Sequence, residues 1–200
     1  MRPVFLSIFV LFFALVVSHA AVALPMRPYS GIGVLRINAA DLVDSVPLYD
    51  EPGLQRNGTI EPAAVRELTT WLFGPGEYIY LLVTARKGDW LRVECDDAGR
   101  GAWLQKTRRL SYTPWELFLK GKVITFLRNA PQKQLQLYVQ PSLSSSGVPL
   151  TSSGTMKVIQ IQGDWSFVLQ DKINAGWIRW RDHDGRLLIG LAQSPAPQSR

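Results

Sequence analysis

A divergent internal repeat is the feature that most limits how this chain can fold. Residues 46–53 (VPLYDEPG) and 135–142 (LQLYVQPS) share the pattern Leu-Tyr-x-x-Pro. Residues 88–93 and 163–168 share Gly-Asp-Trp-x-x-Val, and a segment containing Gly and Trp follows each of them. The shared patterns occur in the same order in both halves of the chain, which predicts a duplicated structural unit.

The spacing between the shared patterns supports the duplication. Trp90 and Trp103 are 13 positions apart in the first copy, and Trp165 and Trp177 are 12 positions apart in the second. Matching order combined with near-equal spacing is hard to obtain by chance. We therefore expect each copy to fold as the same small unit.

The copies differ between their first two shared patterns, where the first copy has about 14 additional residues. These include 61–73 (EPAAVRELTTWLF), in which Pro62 suits a first helical position and apolar residues recur at helical spacing. The pattern predicts a short helical insertion in the first copy. Its apolar face is expected to cover the neighbouring half of the protein, and a partner surface is the alternative.

Short runs of aromatic and β-branched residues, separated by Gly, Asp and Pro, are typical of strands. Such runs predict strands at 33–38, 78–85, 90–95, 123–127, 156–162, 165–170 and 177–181. A hairpin turn is expected at 182–185, and a capping box at 113–116 predicts one helical turn between the copies. The predicted fold class is all-β.

The first 23 residues have the features of a secretory signal peptide. Arg2 precedes an apolar run at 4–17, and residues 21–23 (AVA) fit a cleavage site between small residues. The run is shorter than the about 20 apolar residues that a spanning helix requires, so cleavage is favoured over a retained anchor. The protein is therefore expected to be exported, periplasmic or secreted, with no membrane span after signal cleavage.

Basic residues are concentrated in the middle of the chain. The formal net charge is +6, and residues 86–133 contain 11 basic and 5 acidic residues, with clusters at 106–109 and 120–122. Such a surface attracts nucleic acid, anionic lipid or anionic cell-wall polymer. Predicted export argues against nucleic acid, and a solvated linker is the simpler interpretation.

Composition and context exclude several kinds of active site. One cysteine, Cys95, rules out a disulfide framework and a Cys-rich metal site, and two histidines rule out a His-rich site. Acidic neighbours disfavour the Cys95 thiolate, while His183 lies in the predicted turn of the other copy, so a Cys–His enzyme is not expected. Residues 182–185 (DHDG) lack the further ligands of a calcium loop. No enzymatic activity, cofactor or metal site is predicted.

In type and order, these motifs resemble the bacterial SH3-like (SH3b) domain family, over about 33–106 and 121–190. The resemblance implies two small SH3-like β-barrels in tandem. In place of the Arg that the family's first motif usually has, this chain has Asp50 and Val139. The predicted organisation is a signal peptide at 1–23, a first SH3-like domain at 24–106 with its insertion at 61–73, a linker with a short helix at 107–120, a second SH3-like domain at 121–191 and a disordered tail at 192–200.

The resemblance implies a bacterial source for the exported protein. It also implies a binding function, because SH3-like domains of exported bacterial proteins commonly bind cell-wall peptides or partner proteins. Peptidoglycan or its peptides are the expected ligand, and a protein–protein adaptor in an envelope complex is the alternative. Aromatic side chains that could form a groove for peptide or sugar are the candidate binding residues. They are Tyr49, Trp90, Trp103, Tyr138, Trp165 and Trp177. The same side chains could instead complete small barrel cores, and the two tyrosines are the favoured groove members.

Overall fold

The computed structural model of the protein describes residues 26–38, 46–60, 69–95, 100–151, 154–170 and 174–192. The predicted signal peptide at 1–23 lies outside the described residues, as do 61–68 of the predicted insertion and 193–200 of the predicted tail. The described residues form two antiparallel sheets of seven strands and few helices. The prediction of a mostly β chain is therefore confirmed.

The first half of the chain forms the first sheet. Its strands are β1 (Gly33–Asn38), β2 (Val46–Tyr49), β3 (Arg56–Ile60), β4 (Tyr78–Lys87), β5 (Trp90–Glu94), β6 (Gly101–Gln105) and β7 (Leu110–Pro114). Their order across the sheet is β3-β2-β6-β5-β4-β1-β7. Side chains alternate between the two faces of each strand, so Leu91 and Val93 of β5 are fully buried while Arg92 between them is exposed.

The second half of the chain forms the second sheet. Its strands are β8 (Val123–Phe126), β9 (Gln136–Tyr138), β10 (Gly147–Pro149), β11 (Met156–Gln162), β12 (Trp165–Gln170), β13 (Asn174–Arg179) and β14 (Ile189–Leu191). A 3₁₀ turn at Gln132–Gln134 precedes β9. The strand order is β10-β9-β13-β12-β11-β8-β14. It matches the order of the first sheet, with each strand number increased by seven. Two copies of one structural unit produce such a repeated order.

The described end of the insertion covers the second sheet. Residues 69–73 are helical and are called α1. Leu72 of this helix is 2% exposed and belongs to the apolar cluster of the second sheet. A Cβ added to Gly190 of β14 would lie 2.8 Å from the Leu72 carbonyl oxygen, so the backbones of α1 and β14 are in close contact.

The two halves share a hydrophobic core. Helix α2 (Trp115–Leu119) follows β7 and buries Trp115 together with Phe118. These side chains lie in one apolar cluster with the core of the second sheet and with Val34 and Leu82 of the first. A separate apolar cluster fills the interior of the first sheet. The first sheet therefore contributes to two cores. One lies within the first half, and the other is shared with the second half.

Residues 26–32, here called the N-terminal segment, connect the first sheet to the second half. Tyr29 and Arg186 form an isolated antiparallel bridge. The backbone N–H of Ser30 donates to the Gly185 carbonyl at 2.8 Å. The N-terminal segment therefore lies against the turn that follows β13.

A buried ion pair holds the same contact. Nη2 of Arg27 lies 2.7 Å from Oδ2 of Asp182, and the side chains are 13% and 4% exposed. Oδ1 of Asp182 accepts the backbone N–H groups of Asp184 and Arg186 at 3.0 and 2.9 Å. Burial raises the pKa of Asp182, but the N–H of Arg186 and the Arg27 guanidinium outweigh burial and hold that pKa below its ordinary value of 3.8.

The connection between the halves differs from the sequence prediction. The predicted linker at 107–120 includes β7, which pairs with β1 at the edge of the first sheet. Pro114 ends this strand, where an edge position tolerates proline. The helical turn is present at Trp115–Leu119, but its N-cap is Pro114 and no side-chain hydrogen bond caps it, so the predicted capping box at 113–116 is wrong.

No helix in the described part of the chain has both the length and the hydropathy needed to cross a membrane.

Replacing Trp115 by Ala should lower the free energy of unfolding by about 4 kcal/mol, because it opens a cavity in the shared core. Leu117 is the matched control, since it lies on the same helix and is 67% exposed. Leu117→Ala should change stability by no more than about 0.5 kcal/mol. Urea denaturation followed by tryptophan fluorescence measures both values, and equal losses would contradict the shared core.

The Arg27–Asp182 pair should make stability dependent on acid pH. Since the folded-state pKa of Asp182 is lowered, its stabilisation is complete above the unfolded value and is lost as the pH falls through the folded value. Asp182→Asn should therefore lower the free energy of unfolding by about 3 kcal/mol at pH 7. It should also flatten the loss of stability below pH 3.8. Urea denaturation in acid buffers tests this, and an unchanged acid slope would contradict it.

Candidate functional site

Three predicted groove residues of the first half lie together. Tyr49 and Trp90 form an edge-to-face pair with ring centroids 5.1 Å apart and an interplanar angle of 88°. Tyr49 of β2 is also the register partner of Trp103 on β6. All three side chains are partly exposed. We call Tyr49, Trp90 and Trp103 the first aromatic surface.

Strand alternation places the first aromatic surface on the outward face of the sheet. Trp90 and Trp103 alternate along their strands with the fully buried Leu91 and Leu104. Gly88 adopts φ +60° in the tight turn between β4 and β5, a backbone conformation that glycine adopts without strain. This turn brings β5 back beside β4 and begins the strand at Trp90.

The second half repeats this arrangement. Tyr138 and Trp165 form an edge-to-face pair with centroids 5.2 Å apart and an interplanar angle of 90°. Tyr138 is the register partner of Trp177, whose ring lies 5.4 Å from that of Phe167. We call Tyr138, Trp165 and Trp177 the second aromatic surface.

The second aromatic surface is more covered than the first. Tyr138 is only 6% exposed, and a Cβ added to Gly147 would lie 3.2 Å from its ring. The Arg179 guanidinium lies 5.8 Å from the Trp165 ring centroid. In the first half, the register partner of Trp90 is the exposed Gln105, so the corresponding position carries no cation. The first half therefore presents the more open aromatic surface.

A cavity of about 490 Å³ lies where the two halves meet. Its lining includes Tyr29 of the N-terminal segment, Arg92 and Glu94 of β5, Gly101 of β6 and Arg181 beyond β13. We call it the interhalf cavity. Sequence reasoning missed it, because the repeat motif and the turn that supply some of its lining lie in different halves of the chain and only the packing of the halves brings them together.

The interhalf cavity adjoins the first aromatic surface. Arg92 is the register partner of Trp103, and Glu94 is the register partner of Gly101. Directly opposed residues of neighbouring strands have Cβ atoms about 5 Å apart. The cavity and the first aromatic surface therefore form one continuous surface along β5 and β6.

The group Asp182, His183 and Asp184 has ligand atoms within 4.8 Å of one another. The Asp182 carboxylate, however, already binds Arg27 and two backbone N–H groups. His183 and Asp184 are exposed. The contacts of Asp182 are those of a turn that anchors the N-terminal segment.

Cys95 and His183 have different surroundings. Cys95 follows β5, is partly exposed and packs against the core of the first sheet. Its thiol lies 3.6 Å from the Val93 carbonyl oxygen. The His183 side chain is 75% exposed in the turn after β13, and its Nε2 lies 3.4 Å from Oδ1 of Asp184.

The central basic clusters are solvent-exposed. Lys106, Arg108 and Arg109 precede β7, while Lys120 and Lys122 follow α2. Exposed positive charges on these connections attract anionic partners.

The unequal exposure of the two tyrosines leads to a stability prediction. Tyr138→Ala removes a buried ring and should lower the free energy of unfolding by about 3 kcal/mol. Tyr49→Ala removes a partly exposed ring from the equivalent position and should cost less than half as much. Urea denaturation of both variants checks the difference, and equal losses would contradict the greater openness of the first aromatic surface.

No protein-family model matches the chain, and no curated protein matches its sequence. One similar solved structure is NlpC2 from Trichomonas vaginalis, with 10% identity, a TM-score of 0.33, and coverage of 86% of this chain and 51% of that chain. Another is an NlpC/P60 family protein from Bacillus cereus ATCC 10987, with 12% identity, a TM-score of 0.25, and coverage of 84% and 59%. This chain spans less than two thirds of the length of either structure.

Proposed function

We propose that this protein is a non-catalytic binding protein with two SH3-like halves. In this proposal, its first aromatic surface holds cell-wall peptidoglycan through the peptides of the wall. The observation that carries the proposal is the Tyr–Trp pair found at equivalent strand positions in both halves, with the first pair left open to solvent.

The geometry of the first aromatic surface suits an extended peptide or a sugar ring. Edge-to-face packing fixes the Tyr49 and Trp90 rings against each other, so little side-chain entropy is lost when a ligand packs on them. Trp103 lies beside them and lengthens the apolar surface along the sheet. A ligand of several linked units gains contact with all three rings.

The wall is the proposed source of the ligand for two reasons. The motif resemblance is to a family whose exported members commonly bind wall peptides, and the first 23 residues have signal-peptide features. The exposed basic clusters at 106–109 and 120–122 supply attraction to anionic wall polymer.

The absence of catalysis is part of the proposal. Cys95 follows directly on Glu94, and carboxylate neighbours oppose the thiolate form that a nucleophile needs. A strand-end position packed on the core supports a structural role for this cysteine.

An adaptor that binds an envelope protein is the second candidate. The β9–β10 hairpin carries three exposed aliphatic side chains, Val139, Leu143 and Val148, which are 72%, 65% and 66% exposed. Strand β10 is also an edge of the second sheet, where an added strand can pair. The described end of the insertion is less suited to a partner, because Leu72 is buried against the second sheet.

Co-sedimentation with purified peptidoglycan sacculi tests the proposed function. The protein should pellet with sacculi at low and moderate salt, and Tyr49→Ala should reduce the bound fraction at least about fivefold, as expected for the loss of about 1 kcal/mol or more of aromatic contact. Tyr78→Ala is the matched control, because Tyr78 is 37% exposed on the same sheet but outside the first aromatic surface. This control should bind as the unaltered protein does.

Two other results would contradict wall binding through the first aromatic surface. Protein that stays in the supernatant at both salt concentrations would remove the wall as ligand and leave the adaptor. Binding that disappears at moderate salt and is insensitive to Tyr49→Ala would assign the attraction to the basic clusters alone.

A further inference from the structure

We propose that the interhalf cavity binds the free carboxylate group of a peptide, and that Arg92 is the residue that recognises it. This inference extends the proposed function, since it names the end group of the peptide that lies on the first aromatic surface. The inference rests on two observations. The Arg92 guanidinium is exposed to a ligand, and the residues around the cavity position that guanidinium.

Arg92 has the chemistry that carboxylate recognition needs. A guanidinium offers paired N–H donors that match the two oxygens of a carboxylate. Arg92 is exposed and lines the cavity, and within the described part of the chain it forms no ion pair. Its position opposite Trp103 places the guanidinium at the end of the first aromatic surface.

Gly101 makes room for the Arg92 side chain. A Cβ added to Gly101 would lie 3.1 Å from Nε and 3.4 Å from Cζ of Arg92. The guanidinium therefore lies over the glycine on the neighbouring strand. A Cβ at position 101 would require the guanidinium to shift by a few tenths of an ångström, and a larger side chain would shift it further.

A second guanidinium lies across the cavity. Nε of Arg181 is 2.6 Å from Oδ1 of Asp164, and Nη1 is 3.3 Å from Oγ of Ser30. Asp164 is shared, because Nη2 of Arg179 lies 3.5 Å from Oδ2. One carboxylate thus serves two guanidiniums. The cavity also has the Glu94 carboxylate in its lining, but Arg92, Arg179 and Arg181 together outnumber Glu94 and Asp164, so the net charge around it stays positive.

The second half lacks this site. The residue of β12 that pairs with Trp177, as Arg92 pairs with Trp103, is Phe167. Ala175 pairs with Leu169, where the first half has Gly101 paired with Glu94. Apolar Phe167 and Leu169 therefore stand where the first half has charged Arg92 and Glu94, so the second half has no equivalent of Arg92.

The size of the cavity matches a short peptide end. A volume of about 490 Å³ lies within the range of about 300–1,000 Å³ typical of small-molecule sites. The continuous surface along β5 and β6 lets the rest of a peptide extend over Trp103 and Trp90. The N-terminal segment of this protein lines one side of the cavity. The cavity therefore favours the carboxylate at the end of a peptide ligand over a carboxylate within a rigid internal segment of a ligand.

Nuclear magnetic resonance titration with N-acetyl-Ala-Ala-Ala tests the inference. The peptide with a free carboxylate should bind about tenfold more tightly than its C-terminal amide, since hydrogen bonds from a guanidinium to a carboxylate are stronger than those to a neutral amide, and it should shift the Arg92 Nε–H resonance. Arg92→Gln should reduce the affinity of the free acid to that of the amide. Arg86→Gln removes the same charge from β4 outside the cavity and should have no effect.

A second variant leaves Arg92 in place. Gly101→Ala should weaken binding of the free acid by shifting the guanidinium, and thermal unfolding at the temperature of the unaltered protein would show that Gly101→Ala and Arg92→Gln both keep the fold. Equal affinities for acid and amide would overturn the inference. Displacement of the peptide by equimolar inorganic phosphate would also overturn it, because the cavity would then be a general anion site.

The outcome separates this inference from the proposed function. Sacculus binding that needs Tyr49 but not Arg92 would leave the proposed function standing and remove the carboxylate site. Selective binding of the free acid by a protein that ignores sacculi would keep the site and remove the wall as its source.

Discussion

The packing of Trp115 is the interaction on which the arrangement of the two halves depends. Its indole N–H donates to the Ser30 carbonyl at 2.7 Å, which fixes the N-terminal segment. Its ring lies 5.4 Å from Trp180 of the second half and 6.5 Å from Phe73 of the insertion. One side chain therefore contacts three separate parts of the chain, and the interhalf cavity exists because these contacts hold its walls together.

The two halves have the same strand order, but their aromatic surfaces differ in exposure. The Tyr–Trp pair has nearly the same geometry in each, yet Tyr138 is buried while Tyr49 is not. The difference arises from neighbours: Gly147 lets the backbone approach Tyr138, and Arg179 covers Trp165. The candidate groove and core roles of these aromatic residues are thus divided between the halves, with the first more open.

Local patterns predicted only some of the strands. The predicted strands at 33–38, 156–162 and 165–170 have the bounds found in the structure, because turns and alternating burial are local properties. Strands β2, β3, β6, β9 and β10 were not predicted. Strand β7 was placed in the linker, since an edge strand that ends in Pro114 has no local signal that separates it from a loop. The capping box at 113–116 failed because the strand extends through Thr113, and Pro114 offers no side-chain acceptor.

The candidate site was only partly accessible to sequence reasoning. Tyr49, Trp90 and Trp103 could be grouped because the repeat placed them at equivalent positions in two copies. Arg92 and Arg181 could not be grouped, because only the packing of one half on the other brings them to one cavity. The role of Asp182 was also hidden, since its partner Arg27 lies 155 positions earlier in the chain.

The shared core also determines how the protein would respond to force. A force applied at the first aromatic surface would pass through β1 and α2 to the second sheet. Tension would be carried by close-packed aromatic rings and by strand β7, in place of an extensible spacer between the halves. The two halves would resist stretching as one stiff unit until the packing around Trp115 is disrupted.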